Sequence, residues 1–273
     1  MRRCPGLRLT HDPSDMLIKT LPARAGLKWL RDALALYRRQ PFAFTSLVIL
    51  YTMGLSLLTF VPLVGLPIAT VLVPFGTIGL TLAARDAERG VMPLPTLMME
   101  PFRNPQQRSA LVRLGLVNAA LVLVLILIVW LFSADDLSNW KIVDGQIDRD
   151  SAGQNFPWDA LFAAAVVYVP ILMLTWFAPQ LVAWHGQPIG KALFFSFFAC
   201  WRNRWPFLTL AAALFALFFA AIFIFTQLLQ ALGASSQIAS VLMAPIMLLL
   251  ISIGYATQYP IYRSLIDAND DVA

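Results

Sequence analysis

The sequence predicts an all-α integral membrane protein. About six transmembrane helices form three in–out–in hairpins, preceded by an N-terminal amphipathic interfacial helix. Three observations carry that prediction. The 273-residue chain is 59% hydrophobic and only 13% charged, where soluble domains run at roughly 45–50% apolar and about 25% charged. Its apolar residues fall in six blocks that approach or exceed the roughly 20 residues a helix needs to cross a bilayer. Runs such as LVLVLILIVWLF (121–132) do not alternate as the strands of a membrane β-barrel would. Finally, lysine and arginine are segregated by side, as the positive-inside rule requires.

Residues 1–20 form an N-terminal extension unlike the rest. Its basic start is followed by PGLRLTHDPSD where a signal peptide would carry an apolar core, so no cleavable leader is expected. Disorder is the expectation here, and Met16 stands as an alternative start, because the structured pattern begins just beyond it. The membrane domain is expected over 21–267, with 268–273 as a C-terminal tail.

Segment 24–39, RAGLKWLRDALALYRR, is too often interrupted by charge to span. At 100° per residue, Arg24, Lys28, Arg31, Asp32, Arg38 and Arg39 share one arc, and Leu27, Trp29, Leu30, Ala33, Leu34, Leu36 and Tyr37 share the other. That separation predicts a helix lying on the inner leaflet. Arg24, Lys28, Arg31, Arg38 and Arg39 are its candidate contacts to anionic lipid headgroups, at roughly 1 kcal/mol per residue near the surface. Gln40-Pro41 then breaks the helix and turns the chain into the first span.

The spans are expected at about 42–60, 67–84, 113–132, 159–182, 207–228 and 239–260. A tight Pro/Gly turn joins the first two. Asn104, Pro105 and Gln107 offer a cap, a first helical position and a capping-box partner for the third. Segment 190–207 looks like a second version of 24–42, WRNRWPF against YRRQPF. Spans 2, 4 and 6 each hold a proline, at Pro74, Pro170 and Pro245. A parallel repeat of roughly 24–89 and 188–266 is the simplest architecture these parallels suggest.

Eighteen of the 20 Lys and Arg residues flank the spans on the side of the termini. The other two, Lys141 and Arg149, share the 133–159 loop with Asp135, Asp136, Asp144, Asp148, Asp150 and Asp159. Both termini are therefore expected in the cytoplasm and the acidic loop outside. The net charge of +5 encodes orientation and gives no reason to expect nucleic acid. A solvated loop is the expected state of 133–159, whose aspartates lack the spacing of a calcium loop.

No span has Asp, Glu, Lys, Arg or His in its interior, and Arg113 and Asp159 sit at ends. Such residues mark proton relays and many ion pathways. Their absence argues against a proton pump. Asn118, Thr175, Gln180, Gln227 and Gln258 are the main polar residues available, with interhelical hydrogen bonding as their default role. The chain has no P-loop, G-x-S-x-G or H-E-x-x-H, and Cys4, Cys200, His11 and His185 lack metal-ligand spacing. No enzyme, cofactor or metal is expected.

AARDAERG (83–90) gathers Arg85, Asp86, Glu88 and Arg89 at the end of span 2. On a helix, Asp86 with Arg89 and Arg85 with Glu88 are i,i+3 pairs, and Gly90 suits the residue just past the helix end. A structural, topology-holding role is expected, with a polar junction docking the 24–39 helix or a cytosolic partner as the functional alternative.

LPARAGLKWLRDALALYRRQPF, followed by a hairpin ending in LAARDAERG, resembles an uncharacterised beta-proteobacterial family of six-helix inner-membrane proteins. The likeness is specific over about 20–95 and a matter of pattern thereafter. It implies an inner-membrane location and about six helices, and brings no catalytic residues. Two functions are carried forward. One is a non-catalytic protein that binds or organises a lipid or protein partner through its basic cytoplasmic face. The other is a permease for a neutral or amphipathic solute, lined by Asn118, Gln180, Gln227 and Gln258.

Overall fold

A computed structural model describes residues 19–143, 146–233 and 235–266. The expected extension up to residue 18, with Cys4 and His11, lies outside the described residues, as do Asp144 and the tail 268–273.

The chain runs α1 (Ala25–Arg39), α2 (Pro41–Thr59), α3 (Gly65–Glu88), a 3-10 turn (Pro95–Met98), α4 (Glu100–Arg103) and α5 (Pro105–Ser138). A two-residue antiparallel ladder, β1 (Ile142–Val143) with β2 (Gln146–Ile147), follows. Then come α6 (Arg149–Gln154), α7 (Trp158–Thr175), α8 (Ala178–Ala183), α9 (Ile189–Arg202), α10 (Arg204–Ala231), α11 (Ser236–Ala256) and α12 (Gln258–Leu265). Among the described residues, six helical stretches are long and apolar enough to cross a membrane, so the chain is an all-α, multi-pass membrane protein.

Several boundaries move from expectation. The third span begins at Pro105 and extends through Ala134, because a helix need not end where it meets charges such as Arg108 and Arg113. Spans 4 and 6 break near Trp176-Phe177 and Thr257, producing the short α8 and α12 inside what reads as continuous apolar sequence. At the third span's start Asn104 does cap, its Oδ1 accepting from Gln106 N at 2.9 Å. Gln107 does not complete the box. Its amide donates to Ala183 O at 2.9 Å and ties α5 to α8.

Burial is concentrated at one end, where α1, α8 and α12 gather around α3 and α9 packs on α7 and α8; this is the termini end of the bundle. In α2 only Phe44, Leu47 and Val48 are buried, all near its start. In α11 burial begins at Leu250. The opposite half of the spans, toward the 133–159 connection, turns most of its apolar side chains outward.

Helix α1 is amphipathic as expected, but its apolar face meets protein where the sequence suggested acyl chains. Trp29, Ala33, Leu36 and Tyr37 are buried against α3, α10, α11 and α12. Gly26 permits this docking, since a Cβ there would stand 2.2 Å from Pro206 O of α10. Leu27, placed by periodicity on the same arc, is 58% exposed. Buried Asn203 anchors the preceding segment, accepting from Leu21 N and donating to Lys19 O, both at 2.9 Å.

The element order of 25–88 recurs in 189–256: an amphipathic helix, a kink, a long span, and a proline-bearing helix. Pro74 and Pro245 each fall nine residues after their helix starts, at Gly65 and Ser236. The 133–159 connection carries hydrogen bonds of its own. Asp148 caps α6 through Ser151 N at 3.1 Å, and Trp140 Nε1 donates to Asn155 O at 2.9 Å.

Candidate functional site

Three arrangements in the bundle carry polar chemistry. The first is the charged end of α3. Gly90, at φ +76°, follows the helix, with Val91 N bonded to Asp86 O at 2.9 Å and Gly90 N to Ala87 O at 3.1 Å. Together these make a Schellman ending. The charges do not pair at i,i+3 as the spacing suggested. Arg85 Nη2 contacts its neighbour Asp86 at 3.3 Å. Glu88 instead faces α12, where Arg263 Nη1 meets both of its carboxylate oxygens at 2.7 Å. The Arg39 guanidinium, at the end of α1, donates to the backbone carbonyl of Glu88. Glu88 therefore lies at a junction of α1, α3 and α12, while Arg85 and Asp86 are half-buried and meet each other, and Arg89 is exposed.

The second arrangement is a cleft of about 660 Å³ between α1 and α12. Arg24, just before α1, and Lys28 and Arg31 of α1 line it, with Asp32 beside them and Arg263 and Ser264 opposite. Trp29 forms its floor and is fixed by an indole N–H bond to Ser264 Oγ at 2.8 Å. Arg24, Lys28 and Arg31 have no ion-pair partner among the described residues, whereas Arg263 is committed to Glu88. Arg38 and Arg39 lie outside this cleft.

The third is a cavity of about 250 Å³ within the bundle, bounded by Tyr51 of α2, Thr77 of α3, Asn118 of α5, Tyr168 and Thr175 of α7, and Tyr255 and Gln258 around the α11–α12 break. Pro74 explains one of its contacts. Proline has no N–H to give the carbonyl four residues back, and Asn118 Nδ2 donates to that carbonyl, Thr70 O, at 3.0 Å. Gln180 is buried just beyond the lining. Its Nε2 approaches Thr81 Oγ1 at 3.4 Å, and Thr81 in turn approaches Gln258 Oε1 at 3.4 Å. Gln180 Oε1 is buried with no partner among the described residues. Gln227 is exposed on α10 and lines no part of this cavity.

Sequence reasoning marked Asn118 and Gln258 but passed over the three tyrosines. The available signal was position: Tyr51, Tyr168 and Tyr255 fall inside apolar runs, where tyrosine's usual membrane place is the interface. The partners of Glu88 left no sequence signal, since Arg263 is 175 residues away.

Elsewhere, Cys200 is buried in α9, and burial pushes its thiol up to about 12. It is therefore protonated and unreactive at neutral pH. His185 Nε2 lies 2.8 Å from the Tyr262 hydroxyl. Among the described residues, no group of three or more His, Cys, Asp or Glu is placed to hold a metal ion.

Against known proteins, the chain is 35% identical over 258 residues to a probable inner membrane protein of Burkholderia thailandensis, a match covering 91% of this chain and 93% of the relative. No protein-family model and no solved structure matches it. Identity at that level over nearly the full length of both chains, on a fold with six spans, decides the family: this chain belongs to the uncharacterised family of six-helix inner-membrane proteins that includes the Burkholderia protein.

Proposed function

We propose that this inner-membrane protein is non-catalytic and binds anionic lipid headgroups at its termini end, which faces the cytoplasm. The cleft between α1 and α12 carries the reading. It sets Arg24, Lys28 and Arg31 along one wall, without ion-pair partners, over a floor of buried Trp29. A phosphodiester entering from the inner leaflet would exchange water for charge-assisted hydrogen bonds from these donors. Docking of α1 on the bundle strengthens the case, because a helix fixed by Trp29, Ala33, Leu36 and Tyr37 presents its cations in one geometry. The weight of lysine and arginine on the side of the termini supports the orientation.

The test is lipid binding by the full chain in nanodiscs containing phosphatidylglycerol or phosphatidylcholine, read by native mass spectrometry. Wild type is expected to retain phosphatidylglycerol selectively. At roughly 1 kcal/mol per cation, replacing Arg24, Lys28 and Arg31 together by alanine should weaken retention about 100-fold at low salt. The Arg38→Ala/Arg39→Ala pair should matter less. Unchanged retention in the triple variant, or equal retention of both lipids by wild type, overturns the reading.

A further inference from the structure

We propose that the cavity enclosed by α2, α3, α5, α7 and the α11–α12 break is a binding site for a small neutral solute bearing hydroxyl or amide groups, entered from the end of the bundle that carries the 133–159 connection. This goes beyond headgroup binding and does not depend on it, since the cavity and the basic cleft share no lining residue.

The argument begins with unspent hydrogen-bonding capacity. Polar groups in a bilayer must be satisfied within the protein, and this cavity gathers several whose capacity is only partly used. Asn118 uses its amide N–H on Thr70 O, and its oxygen has no bonded partner among the described residues. Gln258 Oε1 has only the long 3.4 Å approach of Thr81, and its Nε2 donates to nothing among the described residues. Thr77 and Thr175 donate to Val73 O and Ile171 O of their own helices, leaving their hydroxyl oxygens to accept. One hydroxyl beyond Gln258, at Thr81, stands Gln180, whose buried Oε1 lacks any donor among the described residues. Apolar spans that needed only to pack would not bring two amides, two threonines and three tyrosines to one place from separate helices.

Size and charge set the class of ligand. About 250 Å³, at roughly 30 Å³ of liquid volume per water, holds about eight waters or a solute of similar bulk. The lining has no Asp, Glu, Lys, Arg or His, so a charged ligand would lose hydration and find no counter-charge. Tyrosine rings, with Tyr51 and Tyr255 edge to face at a centroid distance of 5.8 Å, add flat apolar walls. A polyol or a small amide presents the matching alternation of polar edge and apolar face.

The packing sets the direction of entry. On the side of the termini the cavity is backed by buried Leu80 and Ala84 of α3, Phe177 and Leu181 around α8, and Ala256 and Ile261 around the α11–α12 break. Toward the 133–159 connection the spans are largely outward-facing and bury little between them.

Val73 lines the cavity without donating or accepting through its side chain, so it can carry a reporter. Val73→Cys is made in a Cys4→Ala/Cys200→Ala background of the full chain, and Phe219→Cys on the outward face of α10 serves as control. Uncharged hydroxyethyl methanethiosulfonate is compared with its trimethylammonium and sulfonate counterparts, with and without glycerol, xylitol, N-methylacetamide or choline as competitors.

The uncharged reagent should label Val73→Cys at least tenfold faster than either charged reagent. At least one neutral competitor should slow labelling threefold or more without affecting Phe219→Cys. Adding Gln258→Leu should abolish that protection while labelling persists. Labelling only after denaturation, equal labelling by charged reagents, protection by choline alone, or protection by no neutral competitor each overturns the proposal. Leu172→Cys, on the opposite wall, repeats the measurement should Val73→Cys fail to fold.

Discussion

Helices α3 and α10 differ in a way that inverts the rule for soluble proteins. The most apolar window of α10 has mean hydropathy 2.7 and is 6% buried, while that of α3 has 1.8 and is 56% buried. In water the more apolar helix would sit inside. In lipid, burial against protein gains little hydrophobic free energy, so close approach of backbones and hydrogen bonding decide which helix is central. Helix α3 is built for approach: Gly76 lies under the Tyr51 ring, Gly79 meets Met98, and Ala83, Ala84 and Ala87 admit α1. Helix α10 presents Phe215, Phe219 and Phe223 in a stacked outward row, with centroids 6.2 Å apart. High hydropathy here marks the surface offered to lipid, and small residues mark the core.

The sharpest way to break that contrast is to enlarge a small residue on the α3 interface. A Cβ at Gly115 of α5 would stand 2.2 Å from Val71 O of α3, and backbone cannot swing aside as a side chain can. Gly115→Leu should therefore cost about 3 kcal/mol, the upper part of the range for overpacking, read as lost thermal stability in detergent. Phe219→Leu on α10 should change stability by less than about 0.5 kcal/mol. Equal effects at the two sites would mean that hydropathy, not approach, sets the core.

A second test probes the hydrogen bonding at the proline inside α3. Asn118→Leu leaves Thr70 O without its donor and should cost about 1–2 kcal/mol. Pro74→Ala restores an N–H to that carbonyl, so the cost of Asn118→Leu should shrink toward zero in its presence. Additive costs in the double-mutant cycle would show that Asn118 does not act through the proline gap.

These two sites also show what a single sequence can and cannot yield. The existence of six spans, the Gly90 ending and the Asn104 cap are local facts, written in runs and spacings a few residues long. Asn118 and Gln258 stand out because an amide in an apolar run is costly enough to need a reason. The Gln107–Ala183 bond, the Arg39 and Arg263 contacts to Glu88, and the side of α1 covered by protein are non-local, and no pattern along the chain encodes them. The breaks that create α8 and α12 were hidden for another reason: lipid tolerates any apolar residue, so a helix can end without a change of composition. Cavity tyrosines were masked likewise, since their rings read as apolar and their hydroxyls as interfacial.

The smallest effect concerns the junction that joins α3 to α12. Glu88 and Arg263 meet at 2.7 Å, but their side chains are 26% and 46% exposed, so water screens most of the attraction. Glu88→Gln keeps a hydrogen-bond acceptor and removes the charge, and should lower stability by less than about 1 kcal/mol at low ionic strength. At 1 M salt, where the screening length is about 3 Å, the difference from wild type should vanish. A loss that survives high salt would mean that Glu88 serves the bundle through its shape and its place between α1 and α12. The Arg39 contact, which goes to the backbone carbonyl of Glu88 and is untouched by the substitution, would then be the next bond to remove.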